Sequence, residues 1–228
     1  MIIKKGSAII DNREFSFTTA NESIVTDIDG NVYHTVTIGV QTWLVENLKT
    51  THYNDGTLIP NVTDNTEWRA LTTGAWCDYN NDTANDTKYG KLYWYAVNTG
   101  KLAPTGWHIP TDAEWTTLEN YVSANLGSSG SVTKALAAKT GWAACTDVGT
   151  TGNDLTKNNS TGFTALPGGD RTSGDGNFNG FTIVGHWWSS TSNFSGVRGR
   201  WLSQCSSLLF NSGDEKKGGL SVRCVKNY

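Results

Sequence analysis

Four cysteines, four histidines and a few clustered carboxylates are the side chains through which this chain could do redox, acid–base or metal chemistry. Cys77, Cys145, Cys205 and Cys224 lie far apart, with no CxxC pair and no histidine at zinc-ligand spacing, which argues against a structural metal site. Four thiols are too few for a disulfide scaffold at this length, and the count is compatible with one disulfide or with none. Cys205 sits among small polar residues and is expected to be solvent-accessible and unpaired. Cys224, flanked by Val222 and Val225, is expected to be buried in a core strand.

Acid–base chemistry finds little support. His108 lies between Trp107 and Ile109, as a structural histidine near a helix entry would. Asp112 and Glu114 fall where helix capping accounts for carboxylates. There is no Ser/His/Asp motif, nucleophile elbow or phosphate loop, so no catalysis and no cofactor are expected. Asp27-Ile-Asp29 is too short for an EF-hand loop. Asp78, Asn80, Asp82 and Asp86 make an oxygen-rich loop able to hold a hard cation, although a solvated loop has the greater weight. No metal and no calcium requirement are therefore expected.

Binding chemistry is better supported. The segment Ser192 to Gly219 mixes apolar and aromatic side chains with small polar ones, including three apolar residues in a row at Leu208-Leu209-Phe210. Loop-based recognition surfaces use this mixture. The candidate contacts are Arg198, Gly199, Trp201, Ser203, Gln204, Cys205, Ser206, Leu208, Phe210, Asp214 and Glu215. Trp201 and Phe210 would anchor a ligand, and Gln204 and Asp214 would orient it through hydrogen bonds.

The elements that must position these residues can be read along the chain. Asp27 to Asn31 is a turn, and Val32 to Ile38 alternates with period two, with Val32, His34, Val36 and Ile38 on one face. Gly39 and then Thr42 to Val45 complete a hairpin. Residues 1–25, with a short alternation at Glu14 to Phe17, read as an N-terminal extension, a strand or a tether, to a domain spanning 26–228. Leu92 to Val97 is a buried segment of undetermined type. Thr111 with Glu114 forms a capping box, and Trp115, Leu118 and Val122 follow at helical spacing, which predicts a helix over 111–126. A shorter helix is expected over 132–139, stopped by Gly141. Beyond it, Phe163 to Pro167, Trp187 to Ser190, Arg198 to Leu202 and Leu220 to Val225 read as short strands between loops. The fold class is α+β: two helices with short antiparallel strands and long loops.

Composition bounds the function. A net charge of −3 and no basic block argue against nucleic-acid partners, and no run of about 18 apolar residues suggests membrane insertion. Ten tryptophans and 25 glycines with 17% charged residues suit β-rich extracellular or phage-borne proteins. Met1-Ile-Ile-Lys-Lys-Gly6 is not a signal peptide. Export by another route, prior removal of a signal, and assembly inside a cell as in a phage particle all stay open.

Several blocks in order resemble one family. They are Thr35-Val-Thr-Ile-Gly39 with Gln41 to Thr50, Tyr53 to Thr57 with Ile59 to Asp64, Pro104-Thr-Gly-Trp-His-Ile-Pro-Thr-Asp-Ala-Glu-Trp115, Gly162 to Gly169, Trp187 to Thr191, and Leu220 to Val225. Together these resemble the Fibrobacter succinogenes major paralogous domain, over roughly residues 25 to 226. That family is similar to the C-type-lectin-like fold of the formylglycine-generating-enzyme superfamily and of the variable proteins of diversity-generating retroelements. The resemblance implies a C-type-lectin-like domain on a cell surface or phage tail, outside the cell, with its C-terminal stretch as a ligand-binding surface diversified by a retroelement. It implies a cysteine before the Pro-Thr-Gly-Trp block, where this chain has Ala103; if that cysteine pairs with the one in the last strand, Cys224 lacks its partner. The expected function is that of a non-catalytic adhesin or receptor-binding domain for a protein or glycan ligand on a cell surface. The alternative is a structural or assembly module of a pilus, cell envelope or phage tail.

Overall fold

The computed structural model describes residues 23–94, 99–126, 130–193, 196–214 and 217–228. The first three strands, β1 (Ile24–Thr26), β2 (Val32–Ile38) and β3 (Gln41–Leu44), form an antiparallel meander. A short helix α1 (Asn65–Ala70) precedes β4 (Ala75–Cys77), α2 (Asp86–Tyr89) and β5 (Leu92–Trp94). Then come β6 (Trp107–His108), α3 (Asp112–Asn125) and α4 (Val132–Leu136). The C-terminal part contributes β7 (Asp170–Arg171), β8 (Phe178–Asn179), β9 (Val184–Asn193), β10 (Gly196–Ser203), β11 (Phe210–Asp214) and β12 (Val225–Lys226). The class is α+β, with every strand pair between named strands antiparallel.

Two sheets organise the chain. The five-stranded sheet has the order β1-β2-β3-β12-β6, so the last strand lies between two from the first half of the chain. Val225 faces Trp43 on one side and His108 on the other. The three-stranded sheet, β11-β10-β9, carries the proposed recognition segment.

Local signals decide several elements. Thr111 accepts from the Glu114 N–H, and the Glu114 carboxylate accepts from the Thr111 N–H, closing the expected capping box on α3. Trp115, Leu118 and Val122 are all buried. At the β2–β3 turn Gly39 has a φ of 64°, and a Cβ there would lie 2.7 Å from the Tyr121 ring of α3. Only glycine satisfies both demands.

Other elements refine or depart from expectation. The expected alternation of β2 is present, and the structure sets its faces: Tyr33 is fully buried while Val32 is 49% exposed. Burial follows the Tyr33 hydroxyl, which donates to the half-turn carboxylate of Asp27 and accepts from the Lys49 N–H, so the ring faces a polar-capped pocket that valine could not satisfy. Ile24 and Val25, at the end of the stretch read as an extension, pair in β1, in keeping with the strand reading of it; the alternation at Glu14 to Phe17 lies outside the described residues. Helix α4 stops at Leu136, short of Gly141, because the chain turns extended at Ala137, which bridges to Ala165. That single bridge is the only strand-like pairing of Phe163 to Pro167. The stretch from Phe210 to Asp214, read as loop, is a strand paired along its length with β10.

The core is aromatic. Trp43, Trp115, Phe163 and Trp187 meet with ring centroids 5.0 Å (Trp43–Trp115), 5.5 Å (Trp43–Phe163) and 6.4 Å (Trp115–Trp187) apart, joining α3 to both sheets. Ala103 and Cys224 share a second cluster with Tyr93, Trp188 and Val222. Cys224 is buried, as expected. Two arginines are buried with no carboxylate partner among the described residues. Arg171 donates to the Val62, Thr63 and Gly176 carbonyls and to Asn65, and sits over the Trp68 and Phe178 rings. Arg223 donates to the Leu44 and Phe163 carbonyls and to Asn47 Oδ1, with the Phe163 ring 4.6 Å away. Burial lowers the pKa of the Arg223 guanidinium, and Glu46 opposes that fall. Among the described residues no helix is long and apolar enough to cross a membrane.

Candidate functional site

Candidate acid, base and metal groups are largely consumed by structure. Asp27 accepts from the Asp29 and Asn31 N–H groups and from the Asn31 and Tyr33 side chains, stitching the β1–β2 turn. Burial raises the pKa of Asp29, but donors on Thr51, Thr50 and His52 outweigh this and hold it at about 2. In the oxygen-rich loop Asp78 and Asp86 both meet the buried ammonium of Lys91, at 3.3 and 3.1 Å. A tethered ammonium therefore stands where a hard cation would need to sit. Asp82 caps the next turn by accepting from the Ala84 N–H. The ring of His108 reaches Asn227 Oδ1 at 2.6 Å and Glu114 Oε1 at 2.8 Å, and that Glu already serves the α3 cap. This is the structural role expected of it.

The described candidate contact residues map onto β10, β11 and the turn between them. Alternation along β10 separates its side chains into two faces. Arg200, buried, turns toward α3, where it donates to Asp112 at 2.8 Å, to Glu119 at 3.1 Å and to Thr116. Asn211, its cross-strand partner, reaches the same Asp112, and Arg198 reaches Asn211. The network fixes the sheet against the first turns of the helix. Its neighbour Trp201 therefore points the other way, opposite Phe210 on β11 and His186 on β9. The Trp201 and Phe210 rings lie parallel, with centroids 3.9 Å apart and planes at 14°. Both are half-buried, less exposed than free-standing anchors would be, because each covers a face of the other.

The turn is stitched from beside it. The Gly152 N–H donates to the Gln204 carbonyl, Thr151 and Thr133 donate to the Ser206 carbonyl, and Gln204 donates to the Ile183 carbonyl. The Ser203 hydroxyl donates to Gln204 Oε1. Leu208 is 63% exposed at the turn, and Gly199 is buried opposite Trp188. Glu215 lies outside the described residues, as does the side chain of Asp214.

Cys205 requires a correction. It is exposed but not free: it forms a disulfide with Cys145, 60 positions earlier. The loop over residues 143–153 folds back beside the β10–β11 turn, its Cys145 N–H donating to the Gly152 carbonyl, and this brings the two sulfurs together. The other thiols, Cys77 and Cys224, are buried and unpaired. Closing a loop of that size stabilises a fold by about 2–4 kcal/mol, chiefly through the unfolded chain. The Cys145→Ser/Cys205→Ser variant should lose that amount in chemical denaturation; an unchanged midpoint and slope would show that the bond contributes nothing.

The geometry is that of a rigidly backed strand pair with an aromatic shelf and a stapled turn. The Fibrobacter succinogenes major domain model matches residues 36–226. The chain belongs to this family. Comparison with curated proteins and with solved structures found no match. Within the family match fall all eleven residues named as candidate contacts, together with the disulfide, the capping box and both buried arginines.

What sequence reasoning missed is the back of the site. Arg200, Asp112 and Glu119 position the sheet yet were not foreseen in that role. The α3 register offered a partial signal, since Asp112, Thr116 and Glu119 fall on one helical face.

Proposed function

We propose that this chain is a non-catalytic ligand-binding domain with a C-type-lectin-like fold, acting as an adhesin or receptor-binding module at a cell surface or phage tail. The recognition surface is the outer part of β10, β11 and their turn. The observation that carries the reading is the Trp201–Phe210 stack, set on the face of β10 opposite the Arg200–Asp112–Glu119 anchor. A parallel aromatic pair offers a flat apolar shelf for a sugar ring or a planar side chain, at low entropy cost because its backing is rigid. The exposed Leu208 and the small polar residues around it suit adaptable contacts at the rim.

Exposed positions of β10–β11 would carry the variation that a retroelement introduces, while the anchor and the staple keep the backbone constant. A template repeat with a reverse transcriptase beside the gene would support that part of the proposal.

The test is a glycan array run in parallel with a cell-surface protein screen, using the oxidised, folded chain. The expected result is a saturable, selective binder from one of the two libraries. Selective self-association with no external binder would instead support an assembly module.

A further inference from the structure

We propose that the Cys145–Cys205 pair is also a zinc site: when the disulfide is reduced, the two thiolates and the Asp147 carboxylate hold one zinc ion that replaces the covalent staple. Three observations place the ligands. The two sulfurs and a carboxylate oxygen of Asp147 all lie within 4.8 Å of one another. Asp147 is exposed, and no donor among the described residues reaches its carboxylate, whose backbone carbonyl alone is engaged, by Thr150. The backbone around both cysteines is held by bonds that do not depend on sulfur: Cys145 to Gly152, Gly152 to Gln204, Thr151 to Ser206, Ala143 to Thr182 and Gln204 to Ile183. The Cα atoms, 5.5 Å apart, should therefore stay close after reduction.

The chemistry fits zinc. Two thiolates with one carboxylate are a borderline-soft donor set, and zinc binds such groups tetrahedrally with Zn–S near about 2.3 Å. The sulfurs need only rotate apart about their Cα–Cβ bonds to reach a separation of ~3.8 Å, as two such bonds at a tetrahedral angle require. The exposed position leaves the fourth site to water. The balance is simple. A dithiol reductant supplies two electrons and two protons to the S–S bond and is itself oxidised to a disulfide. Zinc then displaces both thiol protons as it forms two Zn–S bonds. The remaining thiols do not compete in the folded chain: Cys77 and Cys224 are buried, and burial pushes the Cys77 thiol up to about 12 and Cys224 higher still. The consequence is a turn stapled in both redox conditions, by sulfur where the surroundings oxidise and by metal where they reduce.

The experiment uses the full chain, reduced with a dithiol and desalted without oxygen, beside the oxidised chain. Near-UV circular dichroism first records whether the reduced chain keeps its aromatic packing; its loss would overturn the proposal, because the ligands would no longer be held together. Zinc is then titrated against a chromophoric chelator, and cobalt is used to read thiolate charge transfer. The expected result is one zinc per reduced chain, none per oxidised chain, and a cobalt–thiolate band. Since loss of even an outer-shell partner weakens metal sites by about 10–100-fold, Asp147→Asn should weaken zinc by at least tenfold while leaving the oxidised chain unchanged. Reduced chain that stays folded yet takes up no more zinc than oxidised chain would overturn the site, as would Asp147→Asn binding zinc as tightly as the parent.

Discussion

Trp115→Ala should destabilise the fold by about 3–5 kcal/mol, as large aromatic truncations in cores do. Trp115 is completely buried, and its ring meets Trp43, Phe163 and Trp187 at once. Those three residues come from β3, from the stretch before β7, and from β9, so the indole is where α3, the five-stranded sheet and the three-stranded sheet share contacts. Its removal leaves a cavity among three rings that are themselves completely buried, Trp43, Phe163 and Trp187. Native domains are stable by only about 5–15 kcal/mol, so the loss is a large fraction of the total. Denaturant unfolding of the variant measures it directly. A midpoint within error of the parent would mean that the sheets are joined elsewhere.

Arg223→Met should be comparably damaging, at about 3–5 kcal/mol, because it leaves buried acceptors without their donor. The guanidinium is fully buried and is the donor for the Leu44 and Phe163 carbonyls and for Asn47 Oδ1. Methionine matches the stem but donates nothing. Each orphaned buried acceptor costs about 1–3 kcal/mol, so the sum reaches the same range. Asn47 keeps one bond, from the Trp187 indole N–H at 2.8 Å, which limits the damage there. Arg223→Lys should recover part of the loss, since one ammonium cannot span three divergent acceptors. Thermal unfolding of the two variants checks the order; equal melting temperatures for Met and the parent would contradict the role given to Arg223.

The sequence made some of this legible and hid the rest for physical reasons. Helix α3 could be placed to within one residue at each end because its signals are local: a cap, its reciprocal glutamate and an apolar stripe within one stretch. The β2–β3 hairpin was legible because alternation and a glycine turn are local too. The alternation of β2 did not say which face is buried, because apolarity alone does not rank Tyr33 above Val32; here the hydroxyl's partner decides. Strand β11 was hidden by its glycine and serine, which propensity reads as loop; pairing with β10 overrides that preference. The Cys145–Cys205 bond depends on a loop returning across 60 positions, and nothing in the spacing of four cysteines announces it. Likewise, Arg200 was passed over while its neighbours Arg198 and Trp201 were chosen, because strand alternation assigns faces only once the position of α3 is known.

The central claim is that Trp201 and Phe210 form the shelf on which the ligand rests, and one paired measurement on the Trp201→Ala/Phe210→Ala variant tests it. Thermal unfolding and binding to the strongest ligand from the screen are read on the same preparation. Both rings are half-buried against each other, and a stacked aromatic pair is worth about 0.5–1.5 kcal/mol beyond its area burial, so the variant should melt lower than the parent but well above Trp115→Ala. Binding should fall far more, since anchors of this kind contribute about 2 kcal/mol or more each, a loss near thirtyfold per ring. The account predicts a folded variant that no longer binds. A folded variant that binds like the parent would contradict it and move the recognition surface off β10 and β11.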